Sequence, residues 1–215
     1  KKLRKISAFI PVQNVESIIK ECLESIKWVD EIFIVDSFST DKTLEICRQY
    51  DNVKIVQNEY ENSGAQRYWG MPQVTHDWIF IIDSDERCNK YLRKEIENIL
   101  SSDQIDVDGF WVNIKTKFFG KIQNYDRYLG HRGMRLVRKY TYKNFDLKRV
   151  HSKLVVENSG KIKNKDSFII HEPIRDFSEH LIKMIRYAEW AAQDMYDKGV
   201  KVNAFHFLFR PIGKF

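Results

Sequence analysis

Trp78-Ile79-Phe80-Ile81-Ile82-Asp83-Ser84-Asp85-Glu86 joins an apolar run to an abrupt cluster of acids. An apolar run without alternation reads as a strand buried on both faces, as in the interior of a parallel sheet. Carboxylates at the carboxyl end of such a strand fall where open α/β sheets bind their ligands. Asp83 and Asp85 stand two apart, which on an extended chain turns both to one side. Paired hard oxygen donors there suit Mg2+ or Mn2+ shared with substrate phosphates, as a nucleotide diphosphate would supply. Taken alone, an Asp-X-Asp is also a common solvated turn capping the next helix, so the decision lies in the rest of the chain.

Upstream, Ile6-Ser7-Ala8-Phe9-Ile10-Pro11-Val12 reads as a buried strand, with a helix expected from about Glu16 to Ile26. Glu31 to Asp36 is a second strand, and Thr40 or Asp41 can cap a helix from Lys42 to Tyr50. Val53 to Val56 is a short third strand, and Asn62-Ser63-Gly64-Ala65-Gln66 opens a helix to about Met71. Alternating strands and helices with short connections predict βαβ units and right-handed crossovers. Gln13 and Asn14, Asp36 and Ser37, and Asp83 and Asp85 would then meet in one crevice at the carboxyl ends of the strands. Neither GxxxxGK[ST] nor GxGxxG occurs, which argues against a nucleotide triphosphatase or a nicotinamide dehydrogenase.

The chain has 215 residues, 43% of them hydrophobic and 31% charged, enough for one globular domain with its own core. Its formal charge of +6 permits an anionic partner, but the cations are scattered among acids, and no nucleic-acid partner is indicated. Cys22, Cys47 and Cys88 lack CxxC spacing, so neither disulfides nor zinc are expected and a reducing, cytoplasmic setting fits. No stretch reaches the ~20 apolar residues of a membrane span.

The ordered set Phe9-Ile10-Pro11-Val12-Gln13-Asn14, Trp28 through Asp36-Ser37-Phe38-Ser39-Thr40-Asp41-Lys42-Thr43, Gly64-Ala65-Gln66-Arg67 and Asp83-Ser84-Asp85-Glu86 resembles the GT-A glycosyltransferases of family 2. The likeness is greatest to the bacterial subgroup that adds sugars to lipopolysaccharide core or similar surface glycans, and it runs to about His171. It implies a GT-A, nucleotide-diphospho-sugar transferase fold, with a mostly parallel central sheet flanked by helices. The catalytic domain would cover 1–175, with a nucleotide-binding half to about 100 and an acceptor half over about 101–175. The implied activity is inverting, metal-dependent transfer from a nucleotide diphosphate sugar, most often a UDP sugar, to a hydroxyl of a glycan or glycolipid acceptor. Pro11, Val12 and Asn14 would line the base pocket, Asp36 would accept from base or ribose, and Gln66 and Arg67 would lie near ribose and diphosphate. Asp83 and Ser84 would face the nucleotide, with Asp83 turned to ribose or metal. Asp85 would hold the Mn2+ or Mg2+ that neutralises the leaving diphosphate, and a late histidine, His171, would complete the metal site.

In the second half, Gly109 to Ile114 and Gly133 to Arg138 read as strands, with a turn at Phe118-Phe119-Gly120-Lys121. Similar proteins form their acceptor side here, so Trp111 and Tyr125 would stack on sugars and Arg135 and Arg138 would meet anionic groups. Relatives usually show His-Glu where this chain has His151-Ser152, and a serine cannot accept the acceptor proton unaided. The base is then His151, a nearby acid such as Asp146 or Glu157, or absent; His151 is the choice. An absent base would leave a catalytically impaired glycan- or lipid-binding module on a transferase scaffold. Beyond, over 176–215, an amphipathic helix from Phe177 to Asp197 serves a core or a homo-oligomer interface alike. The aromatic and basic tail Phe205 to Phe215 fits packing on the domain or peripheral contact with the inner face of the cytoplasmic membrane.

Overall fold

The computed structural model describes residues 3–118, 120–122, 131–146, 153–173 and 177–200. Two compact units divide the chain, Lys1–Pro173 and Ile174–Phe215. The first begins with β1 (Ile6–Val12), α1 (Ile19–Ile26), β2 (Glu31–Asp36), α2 (Thr43–Cys47), β3 (Val53–Gln57), α3 (Ser63–Gly70) and β4 (Trp78–Ile81). It continues with β5 (Glu86–Cys88), α4 (Lys90–Ser101), β6 (Gly109–Phe118), β7 (Lys121–Ile122), β8 (His131–Arg138), β9 (Phe145–Asp146), β10 (Lys153–Leu154), β11 (Ser159–Lys161) and β12 (Phe168–His171).

The main sheet runs β3-β2-β1-β4-β8-β6-β12-β5. Its first four strands are parallel, as the alternation of elements predicts. β8 then enters antiparallel to β4, with Trp78 opposite Arg138 and Phe80 opposite Leu136, so the second half of the sheet is mixed. Strands β1, β2 and β4 are buried almost throughout because helices or loops cover both faces. One face carries Ile10, Ile34 and Phe80 against Ile19, Cys22, Leu23 and Ile26 of α1 and Leu92, Ile96 and Leu100 of α4. The other carries Phe9, Phe33, Val35, Ile79 and Ile81 with Met71 and Val74. The spacing of the buried α1 residues is the i, i+3, i+4, i+7 stripe that makes an amphipathic helix.

Local chemistry sets the helix limits. Asn89 and Asn62 cap α4 and α3, their side chains accepting the Leu92 and Ala65 amides at 2.8 and 2.9 Å. α3 ends at Gly70 against the sheet, where a Cβ would sit 2.7 Å from the Phe9 ring and 2.8 Å from Val35. α1 begins at Ile19 and not at Glu16, because Glu16 is engaged elsewhere: its amide donates to Asp41 and its carboxylate accepts the Lys42 amide. α2 stops at Cys47, short of Tyr50. The three-residue strand β5 escapes sequence reading, since it is too short for periodicity and exists by pairing with β12.

Cys22, Cys47 and Cys88 are free and buried, and burial pushes the Cys47 and Cys88 thiols up to about 12. In the second unit α5 (Phe177–Asp197) ends in a left-handed glycine, with the Gly199 amide on the Tyr196 carbonyl and the Val200 amide on that of Met195. Among the described residues no helix is long and apolar enough to cross a membrane.

Candidate active site

After Ile82 the chain turns instead of running on extended, because the Glu86 carboxylate accepts the Asp83 amide at 2.9 Å while the Asp83 carbonyl accepts the Glu86 amide at 2.9 Å. The expectation that Asp83 and Asp85 share one side of an extended strand is therefore corrected. Asp83 faces two guanidiniums, Arg67 at 2.6 Å and Arg135 at 3.3 Å through both its terminal nitrogens. Asp85 faces His171, with Oδ2 and Nε2 3.3 Å apart. The Asp85 carbonyl also accepts the Glu172 amide, which ties the end of β12 to the turn.

Glu86, 1% exposed, accepts from Arg135 at 2.6 Å. Four buried or half-buried ionisable groups thus alternate, Arg67, Asp83, Arg135 and Glu86, and burial pushes the Glu86 carboxyl up to about 7 against the pull of Arg135. Burial alone would raise the Asp83 carboxyl, but the two arginines outweigh it and hold it well below the usual carboxylate range. Burial works against the Arg135 charge too, and Glu86 and Asp83 overcome it, so this cation is held more firmly than usual. At His171, burial opposes protonation, yet the Asp85 hydrogen bond and the surrounding acids raise its pKa above the ordinary value.

The loop after β2 forms the adjoining wall. The Ser37 amide donates to the Val12 carbonyl and the Gln13 amide group to the Ser37 carbonyl, which binds the ends of β1 and β2 together. Asn14 bonds across the gap to two residues of this loop, its amide donating to Ser39 Oγ and its Oδ1 accepting the Thr40 amide. Asn14 and Phe38 both hold positive φ, 50° and 55°. Asn tolerates that region; for Phe it costs roughly 1–2 kcal/mol.

The residues expected at the nucleotide divide into those that reach the crevice and those sealed below it. Asn14 is exposed, Pro11, Arg67, Asp83 and Ser84 are half-buried, and the Ser84 carbonyl accepts from Arg87. Asp36 is fully buried, its carboxylate accepting the Ser39 amide and the Gln57 side chain. Gln66 is fully buried as well, linking α3 to Ser37 Oγ and Asn58, and the Val12 side chain lies in the core. Arg135, expected on the acceptor side, instead has its guanidinium among the acids. Trp111 is half-buried, its Nε1 donating to Ser159 Oγ. Tyr125, His151, Ser152 and the tail from Phe205 lie outside the described residues, and of Asp146 only the backbone is described.

Two roles were not read from the sequence. Glu86 stands in the quoted acidic run, but its backward bond to the Asp83 amide depends on a turn that an extended reading hides. Phe38 carries a visible signal, a lone aromatic within Ser37-Phe38-Ser39-Thr40-Asp41, though not its backbone conformation.

Four parallel strands continued by a mixed half, with acids and a histidine gathered at the carboxyl edge, are the GT-A architecture of nucleotide-diphospho-sugar transferases. Comparison with known proteins agrees. Residues 7–163 match the family described as glycosyl transferase family 2. The chain belongs to that family and is a glycosyltransferase. It is 26% identical over 211 residues to the lipopolysaccharide core biosynthesis glycosyltransferase LpsC of Rhizobium meliloti, covering 96% of this chain and 77% of that protein. An uncharacterized glycosyltransferase of Rickettsia felis is 37% identical over 105 residues, 48% of this chain and 37% of that protein. The fold is shared with Staphylococcus aureus TarS 1–349 in complex with UDP-GlcNAc, at a TM-score of 0.60 and 20% identity, over 80% of this chain and 59% of that one. This chain therefore spans less than two thirds of TarS 1–349 and little more than a third of the Rickettsia protein.

Proposed function

We propose that this chain transfers a sugar, with inversion, from a UDP-linked donor to a hydroxyl of a lipopolysaccharide core or related surface glycan at the inner face of the cytoplasmic membrane, and that it uses a divalent cation. One observation carries this reading: Asp85 and His171 meet beside a charge-compensated Arg67–Asp83 pair at the carboxyl edge of the parallel strands. The residues fit a cation. Two cis ligands of an ion with bonds of about 2.0–2.1 Å lie about 3 Å apart, close to the 3.3 Å between Asp85 Oδ2 and His171 Nε2. Carboxylate with imidazole suits Mn2+. Among the described residues no set of three His, Cys, Asp or Glu side chains gathers for a metal, so diphosphate oxygens and water would have to provide the rest of the coordination. When bound, the cation supplies electrostatic stabilisation of the departing diphosphate.

In this reading Asp85 and His171 hold the cation, and Arg67, oriented by Asp83, offsets diphosphate charge. Residues Pro11 to Asn14 shape the base pocket within a nucleotide-binding half of about 1–100. The acceptor half, about 101–175, positions the hydroxyl, with Trp111 and Tyr125 as its sugar contacts. Neutral His151 takes the hydroxyl proton as the acceptor oxygen attacks the anomeric carbon from the face opposite the leaving UDP, which inverts that centre. The family likeness to LpsC favours a lipopolysaccharide acceptor.

Calorimetry with UDP and Mn2+ tests the site. Asp85→Ala should weaken metal-dependent UDP binding at least tenfold and reduce transfer a hundredfold or more, the scale of losing one key electrostatic group. Wild-type transfer by that variant would overturn the reading. Donor binding without turnover on any glycan acceptor would instead favour the impaired binding module.

A further inference from the structure

Asp36 is the residue expected to accept from the base or ribose, yet it is fully buried and its carboxylate is occupied by the Ser39 amide and the Gln57 side chain. The group that does stand out at the end of β2 is Phe38, 54% exposed. Its surroundings are built to keep it there. Asp36 holds the Ser39 amide on one side of it, Gln13 holds the Ser37 carbonyl on the other, and Asn14 holds the Thr40 amide. The result is a bulky residue in the left-handed region, at φ 55°, about half of whose surface stays exposed, so burial does little to offset the strain. Strain of this kind persists where the surroundings over-determine it, and it clusters at ligand sites. An aromatic face held out beside Val12–Asn14, at the carboxyl edge of a parallel sheet, suits a flat heteroaromatic ring.

Resting on the nucleotide-sugar reading above, we propose that Phe38 stacks on the nucleobase of the donor and that Asp36 is a positioning residue that never touches it. Asp36 sets the loop, and the loop presents the ring. Recognition of the base edge falls to exposed groups at the end of β1, such as Asn14 and nearby backbone.

The test compares wild type, Phe38→Gly and Phe38→Leu by calorimetry with UDP and separately with pyrophosphate, both with Mn2+, alongside thermal melts. Glycine relieves the backbone strain and removes the ring. Phe38→Gly should therefore raise the Kd for UDP roughly 5- to 100-fold, the range of one base–aromatic stack. It should leave pyrophosphate binding unchanged and not lower Tm. Phe38→Leu, apolar without a flat face, should weaken UDP to an intermediate degree. Wild-type UDP affinity in Phe38→Gly would overturn the proposal while leaving the donor reading intact. A fall in Tm with parallel loss of UDP and pyrophosphate binding would overturn it too, since Phe38 would then be structural. Wild type that binds neither UDP nor pyrophosphate would remove the donor reading and this proposal together.

Discussion

Arg135 stands between two carboxylates, Glu86 at 2.6 Å, which has no other cation beside it in an ion pair among the described residues, and Asp83 at 3.3 Å, which Arg67 also holds at 2.6 Å. Replacing it with methionine keeps much of the volume, strands Glu86 and leaves Asp83 with Arg67 alone. Breaking a buried pair this way costs about 3–5 kcal/mol, so Arg135→Met should lower the urea midpoint far more than an exposed substitution such as Lys27→Met, whose partner Glu24 is in water. Arg135→Lys should recover only part of the loss, because one ammonium cannot reproduce the fork that spans both acids. At this scale the sequence was partly legible. The acids stood in plain view in residues 83–86, but the partner of each was not, since the cations come from α3 and β8, positions 67 and 135.

Strands β1 and β2 are locked at their amino ends by Glu31, 7% exposed, which accepts from Ser7 Oγ, the Thr75 amide and Thr75 Oγ1. Burial by itself would raise the Glu31 carboxyl; the Ser7 and Thr75 hydrogen bonds prevail and hold it below the ordinary glutamate value. A pKa depressed on folding contributes stability above the unfolded value, lost as pH falls through the native one. Glu31→Gln should therefore destabilise by about 1–3 kcal/mol near neutrality, the scale of charge-assisted hydrogen bonds. The gap between wild type and variant should close in melts taken progressively below pH 4.5. Buried strands were legible because unbroken apolar runs leave little alternative. Helix starts were less so: Glu16 has the pattern of a helix residue, yet its bonds to Asp41 and Lys42 hold the chain in a turn. Such cross-loop bonds join residues about 25 apart in sequence, beyond the reach of local propensity.

For the molecule as a whole, ligand binding and stability are linked. A ligand at a hundred times its Kd adds about 2.7 kcal/mol to folding stability. In a chain of this size each kcal/mol shifts Tm by about 2–4 °C. Saturating UDP with Mn2+ should thus raise Tm by roughly 5–10 °C, and either component alone by less. No shift with both together would count against a joint donor and cation site. The order of motifs along the chain carried the family and the fold, while the mixed second half of the sheet was harder to read, because strands such as β5 and β7 exist only through their neighbours.

The antiparallel entry of β8 beside β4 brings Arg135, from past residue 100, onto acids that belong to the first half. Recombination between related transferases is most tempting at the α4–β6 link, where one half could be exchanged for another. A chimera joined there would inherit Arg67, Asp83 and Glu86 from one parent and the arginine that faces Glu86 from the other. Halves of the sheet that evolve in separate lineages therefore remain interchangeable only while the β8 arginine and Glu86 change in step.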